Sequence, residues 1–493
     1  MKNKISTLIK SAALGMLLAT TACNDYLELE PIGVTSTDIL FDDVRSVISV
    51  VNSAYAALGE RGVTNPSSVY NGPIWDLDIA SDDAGAGGGE TALDNLTYDA
   101  AVGTALTYWQ GCYKGIYRCN VVLERLPTAV FSGGTDALRK QLLAEVRYLR
   151  ALHYFNLVRA FGDVPIILEE VKDIDKIQIA RSPSAQVYAT VESDLQEAVA
   201  GLPVRYTGGS LLGQEVGRAT QGAAKALLAK VYLYQKKYAD AARLAKEVID
   251  GGVYRLVTDY NTNFKGQGEN NAESIFEVQY AEQGVAGTFS SRISDNNSIT
   301  AYPTDNQNIS SLNAPIKTGG LVQAFEMGDT RRNLITNGDR KQTNGLPERL
   351  VNTKYFYVQA GGGNTNSPVN WPLMRFAEVL LIFAEAENEA NGPTAAAYDA
   401  LNRIRRRAFN VTNNSRDIAT GLSKDAFREA VYAEQRRELW GEGHRWFELA
   451  RTGRFVSVMS AHLGIAVQPQ YSILPIPASE LVRNPALTQT AGW

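Results

Sequence analysis

The sequence predicts a mainly α-helical protein: a scaffold of tetratricopeptide-like helix pairs carrying an irregular, loop-rich region with a few short strands. Three observations lead there. From Gly217 to Tyr254, apolar or small residues recur at Ala224, Leu227, Leu228, Val231 and Tyr232, then at Ala241, Ala242, Ala245, Val248 and Ile249. These are two stripes of helical period. The same period returns from Val44 to Leu58, Tyr108 to Leu126, Ala144 to Phe161, Ser184 to Leu202, Arg375 to Asn391, Ala395 to Ala408 and Lys424 to Arg451. Between Leu256 and Trp371 it fails, and Gly, Asn, Ser and Thr dominate.

The first two stripes make one helix pair. Gln235 to Tyr238 reads as the turn between them, and Gly251-Gly252 as the stop of the second helix. Leu228, Ala229, Tyr232 and Ala241 have the spacing of a tetratricopeptide pair, in which small residues let antiparallel helices approach closely. A scaffold of such pairs offers a surface and brings no chemistry of its own. In the irregular stretch SIFEVQYA reads as extended, and TFSSRISDNNSITAYPTDNQNISSLNAP and QAGGGNTNSPVNW read as loops. So long a stretch without regular structure is unusual in a compact domain unless functional. Loops held by a rigid scaffold are where binding residues concentrate.

The front of the chain reads as a targeting signal. Lys2, Lys4 and Lys10 form a basic region, and Ala12 to Ala22 is an apolar run too short to span a bilayer. Ala22 directly before Cys23 suits a lipoprotein signal peptidase, so residues 1–22 are expected to be removed and Cys23 acylated. Thr20 stands where such signals usually carry Leu, which leaves an ordinary secreted protein as the alternative. Acyl chains contribute roughly 0.8 kcal/mol per buried methylene, enough for two or three to tether a globular body.

At 493 residues, 45% hydrophobic and 20% charged, the chain is of ordinary globular composition and can bury a large core. Removing residues 1–22 takes away three lysines and no acid, moving the net charge from -5 to -8. That gives no electrostatic footprint for nucleic acid. Cys112 and Cys119 lie about 10 Å apart along a helix axis, too far for a disulfide, and read as small packing residues. With three histidines and no cysteine pair at ligand spacing, neither a zinc site nor a cofactor is expected.

Catalytic motifs are not in evidence. GAGGGE at Gly85 to Glu90 and the glycines 361–363 lack the context of a phosphate cradle, and no G-x-S-x-G, HExxH or EF-hand loop occurs. Glu434, Glu438 and Glu442, followed by His444, recur every four residues with Arg437 and Arg445 in reach, which suits surface or semi-buried ion pairs. A carboxylate pair for glycoside hydrolysis needs only the right separation in space, so that reading stays open. Trp109, with Tyr113, Tyr117 and Val121 on its face, reads as helix packing, as do Trp440 and Trp446. Arg375 and Asp163 read as scaffold hydrogen-bonders.

Six segments in order resemble the SusD/RagB family, outer-membrane lipoproteins of Bacteroidetes that capture glycans or peptides for a partner transporter. They are RYLRALHYFNLVRAFGDVPII, RSPSAQVYATVESDLQEAVAGLP, GRATQGAAKALLAKVYLYQKKYADAARLAKEVI, PLMRFAEVLLIFAEAENEANG with LNRIRRRA, EQRRELWGEGHRWFELARTGRF, and the ending LPIPASELVRNPALTQTAGW. The resemblance implies four degenerate tetratricopeptide-like helix pairs and a more irregular ligand-facing half. It also implies a SusC-like TonB-dependent outer-membrane barrel as partner and a location on the cell surface. There Asp25, Glu28 and Glu30 after the lipidated cysteine would act as the export cue. The division expected is 1–22 signal peptide, 23–255 N-terminal helical region, 256–371 ligand-facing region and 372–493 C-terminal helical region. A peptide-capturing relative and, more remotely, a glycoside hydrolase are the alternatives to glycan capture.

The family's contact positions vary, so candidates come from the residues themselves. A sugar ring offers C–H bonds on its face and hydroxyls at its edge, which an aromatic ring with polar neighbours can satisfy together. The candidates among aromatic residues outside the helical stripes are Tyr70, Trp75, Tyr280, Phe289, Tyr302 and Trp371, with Asp82 and Asp83 beside Trp75 as acceptors for hydroxyls. Trp75 and Trp371 are expected to project from loops into one solvent-facing groove, with Trp109, Trp440 and Trp446 buried.

Overall fold

The computed structural model describes residues 39–60, 68–85, 91–171, 178–206, 216–265, 268–280, 320–337, 350–355 and 368–493. Residues 1–22, Cys23, Phe289 and Tyr302 lie outside them.

The helical periods become α1 (Val44–Gly59), α3 (Gly103–Arg125), α4 (Asp136–Phe161), α5 (Ser184–Gly201), α6 (Gln221–Tyr234), α7 (Tyr238–Asp250), α8 (Phe376–Asn391), α9 (Ala395–Ala408) and α10 (Lys424–Leu439). Five of the nine starts are fixed by side-chain caps that occupy otherwise unpaired N–H groups: Asp43 for α1, Thr135 for α4, Thr220 for α6, Thr394 for α9 and Ser423 for α10. Packing follows the chain: α3 on α4, α4 on α5, α5 on α6, α6 on α7, α7 on α8, and α8 on both α9 and α10. In the α6–α7 pair Leu228, Ala229, Tyr232, Ala241 and Ala245 are all buried in one continuous core. The turn closes with Lys237 N–H donating to the Tyr232 carbonyl at 2.9 Å.

Two local readings change. The stretch around Trp75, expected to be a loop, is α2 (Pro73–Ile79), with Pro73 in its first turn, where a missing N–H costs nothing. The helix expected across 424–451 breaks after Leu439 and resumes as α11 (Arg445–Arg451). Gly441 and Gly443 between them take φ of +67° and +71°, which a continuing helix of L-residues cannot. Two short helices, α12 (Phe455–Leu463) and α13 (Ala478–Arg483), follow.

The irregular region supplies β1 (Ser274–Val278), β2 (Ile335–Asn337), β3 (Leu350–Asn352) and β4 (Trp371–Arg375). β1 and β4 pair antiparallel, from Ser274 opposite Arg375 to Val278 opposite Trp371, and β2 pairs with β3. β4 runs directly into α8, so the chain passes from the irregular region into the scaffold without a loop. Among the described residues no helix is long and apolar enough to cross a membrane. Cys112 and Cys119 are buried free thiols, as their spacing predicts.

Candidate functional site

The candidate aromatics among the described residues do converge, but inside the protein. α2 turns Trp75 inward and β4 brings Trp371 against it, 5.6 Å between ring centroids and tilted by 38°. Trp371 stacks in turn on Tyr355, 5.5 Å away at 15°. Tyr355 meets Phe264 edge-on at 5.3 Å. Tyr280 donates its hydroxyl proton to the Tyr70 carbonyl at 2.9 Å, and Asn156 Nδ2 donates to the Tyr70 hydroxyl at 2.7 Å. Fractional exposure is 2% for Tyr70, 6% for Trp75, 8% for Tyr280 and 1% for Trp371. The expectation that Trp75 and Trp371 face a common groove is therefore corrected: they share a place, but it is core. The cause is long-range, since pairing β4 with β1 lays all five residues of β4 in the interior.

Asp82 and Asp83 are corrected likewise. Arg445 holds Asp82 through two bonds, Nε to Oδ1 at 2.7 Å and Nη2 to Oδ2 at 2.9 Å. Arg436 donates to Asp83 Oδ1 at 2.6 Å and to the Asp82 carbonyl at 3.0 Å. Burial pushes the Asp82 carboxyl up, but the Arg436 and Arg445 guanidiniums outweigh it and bring it down to about 2. A buried carboxylate so held is a joint between α2 and the C-terminal helices, not an acceptor waiting for a sugar hydroxyl.

The acidic repeat is likewise more deeply buried than a surface reading allows. Arg375 donates to Glu273 at 2.6 Å, Glu438 at 2.9 Å and Glu442 at 2.7 Å. Arg331 reaches Glu434 at 2.8 Å and Glu438 at 2.9 Å, and Arg407 reaches Glu273 and Glu438 at 2.9 and 2.5 Å. Lys354 joins Glu442 at 2.7 Å and the Trp440 carbonyl at 2.7 Å. Burial pushes Glu434 and Glu438 up, yet the surrounding guanidiniums bring each down to about 2. With every carboxylate matched to a cation, the network pins the irregular region, through Glu273, Arg331 and Lys354, onto α9 and α10. Arg375 is the scaffold hydrogen-bonder its position suggested, and Asp163 accepts from the Ser184 N–H at 2.7 Å at the start of α5.

These two clusters form a buried base at the edge of the irregular region. Tyr280 directly precedes residues 281–319, and Tyr355 directly precedes 356–367. Trp109, Trp440 and Trp446 are buried as expected. Tyr355 and Phe264 belong to the aromatic base but were not singled out in the sequence; their only local signal is an aromatic ring beside Lys or Asn.

Comparison with known proteins places this architecture. Residues 231–493 match the model of the SusD family, and residues 25–233 match a second model described as starch-binding associating with outer membrane. A SusD-like protein of Formosa agariphila is 26% identical, covering 96% of each chain. The starch-binding protein SusD of Bacteroides thetaiotaomicron is 25% identical over 73% of this chain and 74% of its own. A solved structure described as a laminarin-binding SusD-like protein superposes with a TM-score of 0.72 at 26% identity, covering 92% of this chain and 100% of that one. With a family model spanning more than half the sequence and the helix-pair scaffold in place, the chain belongs to the SusD family.

Proposed function

We propose that this protein is a lipid-anchored protein of the outer membrane, facing the cell exterior, that captures an oligosaccharide and delivers it uncleaved to a SusC-like TonB-dependent barrel. The observation that carries this reading is family membership along nearly the whole chain, among relatives named for binding starch and laminarin. The anchor rests on Ala22-Cys23, and the outward orientation on Asp25, Glu28 and Glu30. The acids most suggestive of catalysis, Glu434, Glu438 and Glu442, are matched to arginines and a lysine, which supports binding without hydrolysis. With Tyr70, Trp75, Tyr280 and Trp371 in the core, Phe289 and Tyr302 are the remaining proposed ring contacts among the original candidates.

The test is calorimetric titration of the purified protein with laminarihexaose, maltohexaose and, separately, mixed oligopeptides, followed by chromatography of the saccharides. Saturable binding of a hexaose that is recovered intact is expected. Removing the Phe289 or Tyr302 ring should then weaken it about 5- to 150-fold, the loss of one stacking contact. Binding of peptides alone would replace the glycan reading by peptide capture, and recovery of shorter saccharides would replace it by hydrolysis.

A further inference from the structure

α3 carries Trp109, Tyr113 and Tyr117 at four-residue intervals, a stripe that reads in sequence as packing. In the structure the stripe runs out of the core into a cleft of about 720 Å³, walled by α3, by the segment from Pro165 to Val171, and by α13 with the residues following it to Leu487. Trp109 is the floor, buried against the edge of Phe161 at 5.2 Å and 4.9 Å from the Tyr113 ring. Tyr113 is fixed by its hydroxyl, which donates to the Pro165 carbonyl at 2.8 Å. Tyr117 at the mouth is 45% exposed. The lining also holds polar groups: Gln110 of α3 donates to Glu480 of α13 at 2.7 Å, and Arg483 donates to the same carboxylate at 2.9 Å.

We propose that this cleft is a saccharide-binding site that takes a neutral oligosaccharide, with a pyranose face on Tyr117 and hydroxyls directed to Glu480 and Arg483. The inference rests on the glycan-capture reading and assigns it a place among the described residues. The volume lies within the ~300–1,000 Å³ range of small-molecule sites. A wholly apolar ligand would strip water from Glu480 and Arg483 without replacing its hydrogen bonds, which is costly. Among the described lining residues, an anionic saccharide would meet the carboxylates of Glu169 and Glu480 against the single guanidinium of Arg483. A peptide binding by strand addition would need an open strand edge, whereas two walls are helices and Val164, just before the third wall, is already bridged to Ser182. A neutral polyol with apolar ring faces matches both kinds of lining group.

The experiment titrates wild type, Tyr117→Ala and Tyr117→Phe with laminarihexaose and maltohexaose, and follows thermal unfolding of each variant. Because Tyr117 is nearly half exposed, unfolding temperatures should coincide. The alanine variant should lose affinity about 5- to 150-fold at one saccharide site, and the phenylalanine variant, which keeps the ring, should retain it. Hexaose binding that is the same in all three proteins would overturn the assignment of this cleft while leaving glycan capture intact. No hexaose binding by wild type would remove both.

Discussion

The indole of Trp75 rests against that of Trp371, 5.6 Å between centroids, with both residues buried. This contact joins α2 to β4, and Tyr355 extends it to the segment after β3. Truncating Trp371 to alanine empties the space between three elements that cannot all close on it. A loss of about 3–5 kcal/mol in unfolding free energy is expected, as for other aromatic deletions in cores. Urea unfolding would show it, together with unchanged oligosaccharide affinity of the folded fraction. Weakened affinity at an unchanged unfolding midpoint would mean that the ring is a ligand contact after all.

Glu438 is expected to matter as much as Trp371, for a different reason. Its carboxylate answers three guanidiniums, those of Arg331, Arg375 and Arg407, in a place without solvent. Glu438→Ala leaves buried positive charge short of its partner, a situation that costs about 3–5 kcal/mol. On the exposed face of α7, Glu247 also pairs with an arginine, Arg243 at 2.8 Å. There solvent screens both charges, and Glu247→Ala should cost no more than about 0.5 kcal/mol. Equal unfolding midpoints for the two variants would contradict the buried-network account.

The helices were legible because their signal is local. In 217–254 the apolar period, the small residues and the Gly251-Gly252 stop all lie within the segment they shape, and α6 and α7 follow them closely. The break between α10 and α11 was also written locally, in the glycines of WGEGH, but the run of acids four apart masked it. The aromatic candidates misled because burial is decided by partners elsewhere in the chain. Arg436, which holds Asp83, lies 353 positions further on. Glycine-rich surroundings suggest exposure at 70–90, yet nothing nearby in the sequence announces that guanidiniums from α10 and α11 will cover the acids.

Membrane attachment is predicted to depend on a single thiol. If Cys23 becomes the acylated first residue, Cys23→Ala removes both the acyl chains and the signal for their addition, since the apolar run before it is too short to anchor the body. Fractionation of cells should move the protein out of the outer-membrane fraction or leave it as an uncleaved precursor. A correctly cleaved Cys23→Ala protein that still sediments with the outer membrane would disprove lipidation at this position.

Stability should respond to pH in two opposed windows. Glu434, Glu438 and Asp82 are all held at about 2, below their ordinary values, so the folded state releases these protons more readily than the unfolded chain. Their contribution is complete above the unfolded values near 4 and is lost as pH falls toward 2. Asp78 acts the other way. It is buried, with Oδ2 accepting from the Gly443 N–H at 3.0 Å and Oδ1 without a hydrogen-bond partner among the described residues. Burial, with the neighbouring Asp83 adding to it, pushes its carboxyl from 3.8 up to about 8. Here the folded state binds the proton more tightly, so this group stabilises fully below about 4 and progressively less as pH rises through 8. Glu269, raised by burial to about 7, tilts the profile in the same direction. Unfolding free energy should therefore climb from pH 2 to about 4 and decline from there to 8. Asp78→Asn keeps a carbonyl oxygen for Gly443 and cannot ionise, so it should match wild type near pH 4, exceed it at pH 8 and flatten the decline. Chemical unfolding of both proteins across pH 4 to 8 measures the two slopes, and parallel slopes would show that Asp78 does not carry the shift.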